Sequence, residues 1–382
     1  MRRPLGFVSQ TLRGIAAGLV ASVVVLQLAS FARGRPHTRT RLVAEDASAP
    51  LSRIAIHYAP SADRVAAGVW TQLFAALPAR VDVEVEVAAA GDFARFEQLL
   101  GAAGTPHLER FHPVVVGAAI TTWSRDRYAA LVDDDGAGSI LAPPRIETPS
   151  VARAGDARSP AAISRALYGR EPHVADIVFE GGDLAATPRY VFADINLAAR
   201  NVGRGDADRA AIERELHRRF GQELVWLGDE VGEVPRHHIM MYMVPLDDRT
   251  IAVGDVRAGV ALLAREPAGA ELELDDVAVE ARRFDHAAQL LAARGFRVVR
   301  VPALVLRGAG SYVTYTNAVF DREDSQRVVY LPTYSLPALD AAAKTFYESQ
   351  GFVVHPIDVT PIYRLNGSLG CLVNVLARRE DS

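Results

Sequence analysis

Short β-rich runs alternate with amphipathic helical patterns from residue 53 onward, and this alternation restricts the fold more than any other feature. Arg53–Tyr58 and Val81–Val87 predict strands, whereas Ala62–Leu77 and Asp92–Leu100 predict helices. No Pro- or Gly-rich linker divides the body, and the predicted strands outnumber the helices. The sequence therefore predicts one α/β or α+β domain over residues 52–378, built from about five strand–helix units.

The alternation continues to the C-terminus. Further strands are predicted at Pro113–Val116, Tyr128–Val132, Asp176–Phe179, Tyr190–Ala193, Glu223–Leu227, His238–Val244, Thr250–Val253, Phe296–Val301, Tyr312–Phe320, Val328–Leu331, Phe352–Ile357 and Leu372–Leu376. Further helices are predicted at Asp206–Phe220, Val256–Ala264, Phe284–Ala293 and Leu336–Gln350. Residues 133–160, rich in Pro, Ala and Arg, predict an irregular excursion.

The N-terminus predicts a targeting segment. Arginines precede and follow an uncharged apolar run, residues 14–32, that is long enough to span a bilayer. Residues 1–32 are therefore interpreted as a signal peptide or a signal anchor, and residues 33–51 as a disordered tether. These segments predict an exported or inner-membrane-anchored protein on the periplasmic or extracellular side. Whether the signal is cleaved stays open, as does the oligomeric state.

The charge distribution indicates the class of partner. Residues 1–41 carry seven arginines and no acidic residue, which leaves 35 basic against 46 acidic residues in the remainder. Phosphate contacts need clustered cations, so an acidic body argues against nucleic acid. A cationic small molecule suits it better.

Cys371 is the only cysteine of the chain and lies after the turn Gly367-Ser-Leu-Gly370. A single cysteine forms no intramolecular disulfide, so Cys371 is either an inert side chain packed in the core or a reactive thiol. Its exposure separates the two readings, because a fully buried and unreactive thiol favours the structural one.

Three polar clusters interrupt apolar runs. They are Trp123-Ser-Arg-Asp126, Phe179-Glu-Gly-Gly-Asp183 and Arg236-His-His-Ile-Met-Met-Tyr242. Each also has a structural reading, as an ion pair, a turn with a bonded acid, or a core histidine. On a strand, His237 and His238 would point to opposite faces, so one at most faces a site. No His-x-His, HExxH or CxxC spacing occurs, and the sequence predicts neither a metal nor another cofactor.

In chain order, these clusters and the near-terminal cysteine resemble the guanidino-group-modifying (pentein) superfamily, which includes agmatine deiminase, arginine deiminase and dimethylarginine dimethylaminohydrolase. The resemblance covers residues 53–378. It implies a five-bladed α/β propeller of ββαβ units with one active site in its central channel.

The resemblance also implies residue roles. Glu180 and Asp126 would bind the guanidinium nitrogens, because carboxylates accept hydrogen bonds in the plane of that cation. Cys371 would attack the guanidino carbon, and His238 would act as general acid and then as general base. Further substrate-binding positions are implied at Trp123, Gly181, Asp183, Met240, Asn317 and Gly367.

The sequence departs from the family pattern in three places, and in one of them Tyr128-Ala129 stands where Gly-Pro normally follows the first motif. Arginine and agmatine deiminases have His-x-Asp, and the third position here is Met240. Agmatine deiminases place a histidine before the cysteine, and Gly370 stands here. Dimethylarginine dimethylaminohydrolases also lack that carboxylate, so an apolar Met240 favours a methylated guanidine as substrate. Arg307 and Arg364 are the candidates for binding a substrate carboxylate.

The predicted function is hydrolysis of a small guanidino compound, an arginine derivative or an agmatine-like molecule. Three alternatives remain open: a catalytically degenerate pentein that binds a guanidino or arginine ligand, an amidinotransferase, and a structural protein in which the clusters coincide by chance.

Overall fold

The computed structural model describes residues 39–145, 151–201, 209–266, 272–308 and 311–379, and the chain from Thr40 onward forms one compact unit. Within the described residues the strands form five separate sheets. This is a mixed α/β fold, as the alternation of patterns predicts.

The sheets follow one another along the chain. One sheet joins the two ends and contains β2 (Leu51–Tyr58), β3 (Asp82–Val87), β4 (Phe111–Val115) and β18 (Val373–Arg378). The next two contain β1 (Arg41–Leu42), β5 (Ala129–Val132), β6 (Gly138–Ala142) and β7 (His173–Val174), and then β8 (Ala185–Ala186), β9 (Tyr190–Asp194) and β10 (Glu223–Leu227). The last two contain β11 (Met243–Pro245), β12 (Thr250–Asp255), β13 (Arg297–Val305) and β14 (Tyr312–Thr314), and then β15 (Val319–Glu323), β16 (Gln326–Thr333) and β17 (Phe352–Asp358).

Helices connect the parallel strands within these sheets. They are α1 (Asp63–Ala76), α2 (Ala90–Ala102), α3 (Val151–Asp156), α4 (Ser159–Tyr168), α5 (Ile195–Asn201), α6 (Arg209–Arg219), α7 (Val256–Leu263), α8 (Val277–Ala293) and α9 (Pro337–Ser349), and a one-turn helix α10 (Leu369–Leu372) precedes β18.

One connection recurs in all five sheets. Two strands pair antiparallel, a helical segment follows, and the next strand pairs parallel, as in β15–β16–α9–β17. The β5–β6, β8–β9 and β11–β12 pairs are extended in the same way by β7, β10 and β13. The last strand supplies the antiparallel partner of β2, so the two ends of the domain are fixed on one sheet.

Buried apolar side chains hold the helices on the sheets. In the first sheet, Trp70 and Phe74 of α1 and Phe96 of α2 are fully buried, and Phe74 and Phe96 pack edge-on against Phe111. Such aromatic contacts add to the area they bury.

The prediction of a disordered tether is wrong for residues 40–51, which pack against the domain. Leu42 and Val43 are buried, Val43 N–H donates to Ala130 C=O, and Glu45 N–H donates to Ala186 C=O. These partners lie more than eighty residues away, so the polar composition of the segment carries no sign of them. The body of the domain therefore begins near Thr40.

Four predicted strands are wrong in part. Residues 176–179 form no ladder, because the Asn201 side chain bonds both Val178 N–H and Val178 C=O. The stretch from His238 contains a 3₁₀ turn, Ile239–Met241, before β11. Residues 312–320 are divided between two sheets, and Cys371 and Leu372 lie in α10 before β18 begins. In each case the apolar run is buried, as a strand would be, but part of its backbone is not in an extended conformation.

The excursion predicted at residues 133–160 contains structure. It holds β6, α3 and the start of α4, while residues 146–150 lie outside the described part. The helix α5 was not predicted at all. Other elements match well, and β10 has the predicted bounds.

Among the described residues, no helix has both the length and the apolar character needed to cross a bilayer. The predicted signal or anchor segment, with its apolar run at residues 14–32, lies outside the described residues.

Candidate active site

Three short turns present the polar side chains that interrupt the apolar runs. Asp126 ends the 3₁₀ turn Ser124–Asp126, Glu180 immediately precedes the turn Gly181–Asp183, and His238 immediately precedes Ile239–Met241. Asp126, Glu180 and His238 each place a side-chain N or O atom within 4.8 Å of the other two. Residues far apart in the chain thus form one buried cluster.

His238 lies between the two carboxylates. Its Nε2 atom is 2.9 Å from Glu180 Oε2, and its Nδ1 atom is 3.5 Å from Asp126 Oδ1. Buried Cys371 is close enough to contribute to the pKa of His238. Adjacent His237 has a positive φ of 85° and accepts from His238 N–H through its Nδ1 atom, so it supports the turn.

Asn317 holds Cys371. Its Oδ1 atom accepts from Cys371 N–H at 3.1 Å and lies 3.6 Å from Cys371 Sγ. Gly370 permits this approach, because a Cβ atom there would lie 2.9 Å from Asn317 Oδ1. The glycine that replaces the family histidine is thus matched to the contact between Asn317 and Cys371.

Glycines also set the distances around Glu180. A Cβ on Gly182 would stand 2.5 Å from Cγ and Nδ1 of the His238 ring, and one on Gly181 would stand 2.1 Å from Arg125 C=O. Only glycine lets the turn after Glu180 approach the histidine and the neighbouring backbone this closely.

The charges of the cluster depend on each other. Burial alone would lower the pKa of His238, but Asp126, together with Cys371 and Glu180, raises it well above the ordinary value. Burial would raise the pKa of Glu180, and the hydrogen bond and charge of His238 together with Arg200 and Arg127 lower it instead. Burial raises the pKa of Asp126 against the opposing charge of His238. The imidazole is therefore held as a cation against an ionised Glu180.

Solved structures with the same fold match nearly the whole described chain. A C. jejuni agmatine deiminase has 15% identity and a TM-score of 0.66, and the match covers 89% of this chain and 98% of that one. A variant of the C. jejuni enzyme with substrate bound has 15% identity and a TM-score of 0.63, with the same coverage. An agmatine deiminase of Enterococcus faecalis has 13% identity and a TM-score of 0.64, covering 89% of this chain and 96% of that one. No protein-family model and no curated protein sequence matches the chain.

The chain has the pentein fold. The resemblance read from the order of the four motifs is thereby confirmed, and the mixed α/β class with it.

Two of the pentein positions predicted to bind substrate contact other parts of the protein. Asp183 accepts from Glu180 N–H at 2.8 Å and from Arg200 Nε at 3.0 Å, so it fixes the turn that carries Glu180. Met240 is buried in its 3₁₀ turn, and its carbonyl accepts from the Thr316 hydroxyl.

Trp123 and Gly367 meet directly. The Trp123 ring is half-buried, and a Cβ on Gly367 would lie 2.3 Å from it. The arginines predicted to bind a substrate carboxylate are exposed elsewhere: Arg307 faces Glu273, and Arg364 stacks on Tyr363. Neither has a described contact with the cluster.

Three arginines that the sequence analysis missed face the two carboxylates. Arg127 Nη1 and Nη2 lie 3.7 Å from Glu180 and 3.6 Å from Asp126, and Arg153 Nη1 and Nη2 lie 3.8 Å from the same two groups. Arg200 Nη2 lies 3.1 Å from Glu180. The Arg127 side chain is fully buried and Arg153 is 29% exposed. Arg127 directly follows the first motif, but Arg153 and Arg200 lie in helices that the sequence pattern did not predict.

Asp126, Glu180 and His238 also form a possible set of metal ligands. The three arginines lie within 3.8 Å of these carboxylates, and their charges oppose a second cation at the same place. The donor set therefore fits a metal poorly.

Proposed function

We propose that the protein hydrolyses a guanidino compound through a covalent intermediate on Cys371. The observation that carries the proposal is the buried cluster of Asp126, Glu180 and His238, three residues from distant motifs, with buried Cys371 close enough to raise the pKa of His238. Fold alone does not establish an activity, because one fold hosts several chemistries. The proposed activity is therefore based on the geometry of these side chains.

The proposed reaction has two halves. Glu180 and Asp126 bind the guanidinium N–H groups, and the thiolate of Cys371 attacks the guanidino carbon. The bond from that carbon to one nitrogen breaks, and His238 gives its proton to the departing amine. The neutral imidazole then takes one proton from water, which attacks the Cys371-bound carbon, and the second proton of that water is taken up by the released amine, which becomes an ammonium ion. The sulfur leaves as thiolate, and a ureido product is released.

The substrate is proposed to be a small arginine derivative or an agmatine-like guanidine. A neighbour with the same fold is a C. jejuni agmatine deiminase variant with substrate bound. Buried, apolar Met240 in place of the family carboxylate favours a methylated guanidine. Faster turnover of arginine than of its Nω,Nω-dimethyl derivative would remove the methyl preference.

The five sheets are proposed to be the blades of an α/β propeller, and residues 1–32 to direct the chain out of the cytoplasm. Cell fractionation, with mass spectrometry of the chain from each fraction, tests the second point. A protein found only in the cytoplasm with residues 1–32 intact would contradict it.

A second function is favoured by the arginines. Arg127, Arg153 and Arg200 already neutralise the carboxylates that a guanidinium substrate needs. Cys371 is itself only 3% exposed, which was the sign expected of a structural thiol. A degenerate pentein that binds a guanidino ligand without turnover fits both facts.

Turnover assays separate the two functions. Purified protein is incubated with agmatine, arginine and dimethylarginine, and release of ammonia or dimethylamine is measured together with the ureido product. We expect release by the native protein and none by Cys371→Ser or His238→Gln, with His286→Gln as control because His286 is 40% exposed. Binding of a guanidine without release of amine would instead support the degenerate protein. An amine released only when a second amine acceptor is added would support an amidinotransferase.

A further inference from the structure

Arg153 occupies the place that the proposed function assigns to the substrate. Its Nη1 atom faces Glu180 Oε1 and its Nη2 atom faces Asp126 Oδ2, each at 3.8 Å. One planar guanidinium thus spans the two carboxylates proposed to bind the guanidinium of the substrate.

Arg127 and Arg200 each have a second acidic partner beside the cluster. The Arg127 side chain is fully buried, and its Nε lies 2.9 Å from Asp156 in an ion pair. Arg200 bonds Asp183 at 2.9 Å and Glu180 at 3.1 Å. Arg153 makes longer contacts with the cluster than Arg200 does and has the more exposed side chain, 29% against 23%. Among the three arginines, Arg153 thus combines a guanidinium that spans both carboxylates with the most solvent-exposed side chain.

The backbone beneath Arg153 is anchored. Helix α3 lies so close to the preceding loop that a Cβ on Gly155 would stand 1.7 Å from Ala119 C=O. Asp156, at the end of the same helix, accepts from both the N–H and the hydroxyl of Thr121 at 2.7 Å. Displacement of Arg153 therefore means rotation of its side chain while α3 stays in place.

The surroundings agree with an occupied and closed site. Asp126, Glu180, His238 and Cys371 are all at most 6% exposed. Two larger cavities, of about 470 and 860 Å³, are lined by none of these residues.

We infer that Arg153 is an internal competitor for the substrate guanidinium and a specificity-determining residue of the site, an inference that rests on the proposed function. When a guanidine binds, the displaced cation remains beside the site with Arg200. An anionic group on the substrate compensates that charge, whereas a second cationic group adds to it. Arginine, with its carboxylate, is thereby favoured over agmatine.

Equilibrium binding tests this in a Cys371→Ala background, where no turnover disturbs the measurement. Calorimetric titration with agmatine and with arginine is compared for Cys371→Ala alone and with Arg153→Ala added. If the Arg153 side chain lies between the carboxylates about nine-tenths of the time, the apparent affinity for a guanidine is about tenfold weaker. We therefore expect Arg153→Ala to tighten agmatine binding roughly tenfold and arginine binding less. The control is Arg158→Ala, because Arg158 is exposed and donates to Gly117 C=O at 3.0 Å.

Three outcomes distinguish failure of the role of Arg153 from failure of the proposed guanidine hydrolysis. Equal guanidine binding with and without Arg153 overturns the inference and leaves the proposed function standing. Weaker binding without Arg153 also overturns it, since Arg153 would then be a contact of the ligand. Absence of guanidine binding by every folded variant, checked by circular dichroism, overturns both.

Discussion

The chemistry of the cluster depends on the imidazole of His238, because its two nitrogens face Asp126 and Glu180 and because Cys371 raises its pKa. Its pKa is raised well above the ordinary value by Asp126, Cys371 and Glu180, which together outweigh burial. A raised histidine pKa stabilises the folded protein fully below about pH 6.5 and loses that contribution as the pH rises through the folded value.

Glu180→Gln tests that electrostatic link. We expect the pKa of His238, followed by NMR titration of its ring, to fall, and the alkaline limb of the pH–stability curve to move to lower pH. The control is Glu233→Gln, since Glu233 lies 4.0 Å from half-exposed His286 and, among the described residues, accepts only from the backbone of Asp229 and Glu230. An unchanged His238 pKa in Glu180→Gln would show that Glu180 does not hold the proton.

Gly182→Ala tests the spacing of the turn. The added Cβ would stand 2.5 Å from the His238 ring, so the ring or the turn has to shift. A misplacement of about 1 Å costs roughly a hundredfold in rate. We expect kcat to fall by about that factor in amine-release assays while the fold persists. Gly91→Ala is the matched control, because nothing lies within 4 Å of a Cβ there, and equal rates for both variants would contradict the prediction.

At the scale of elements, residues 40–51 link the start of the domain to the site. Glu45 forms a buried ion pair with Arg125, which directly precedes Asp126. Burial lowers the pKa of Arg125 to about 10, so the guanidinium stays charged at neutral pH. The segment therefore supplies the counter-charge for a buried cation at the base of the first motif.

Glu45→Gln removes that counter-charge. Breaking a buried ion pair from one side costs about 3–5 kcal/mol, because the remaining charge is left uncompensated. We expect the free energy of unfolding in urea to fall by about this amount. Glu97→Gln, at an exposed site, should change it little. A matching loss in both variants would mean that the pair contributes nothing specific.

The sequence predicted the parts of the fold and site that local patterns encode. The alternation placed β10 within its observed bounds, and four motifs in order indicated Asp126, Glu180, His238 and Cys371. Long-range pairing was out of reach, as with the residue 40–51 segment and with Asn201 bonding Val178. The roles of Arg153 and Arg200 could not be predicted either. An arginine in a polar helix is expected to face solvent, and only the folded structure shows that a carboxylate lies beside it.

At the scale of the whole molecule, buried carboxyls outside the cluster set a pH response. Burial raises the pKa of Asp194 to about 7 and that of Asp46 to about 6. For a raised carboxyl pKa the folded state binds more protons than the unfolded one between about pH 4 and the folded value. Stability from these groups is therefore present at low pH and lost as the pH rises through 6 to 7.

Asp194→Asn isolates one of these groups. The ionised carboxylate of Asp194 is costly to bury despite its bonds from Tyr242 and Asn196. We expect the variant to gain up to about 4 kcal/mol relative to the native protein on going from pH 4 to pH 8. Urea unfolding at both pH values measures this. A difference between variant and native protein that is independent of pH would contradict the assigned titration.

The measurement that tests the central claim most directly is intact-protein mass spectrometry after a rapid acid quench with a guanidino substrate. The account predicts an added mass equal to the substrate less one molecule of amine, mapped by peptide analysis to Cys371 and absent from Cys371→Ser. A folded protein that binds a guanidine but never carries this adduct and releases no amine would contradict it.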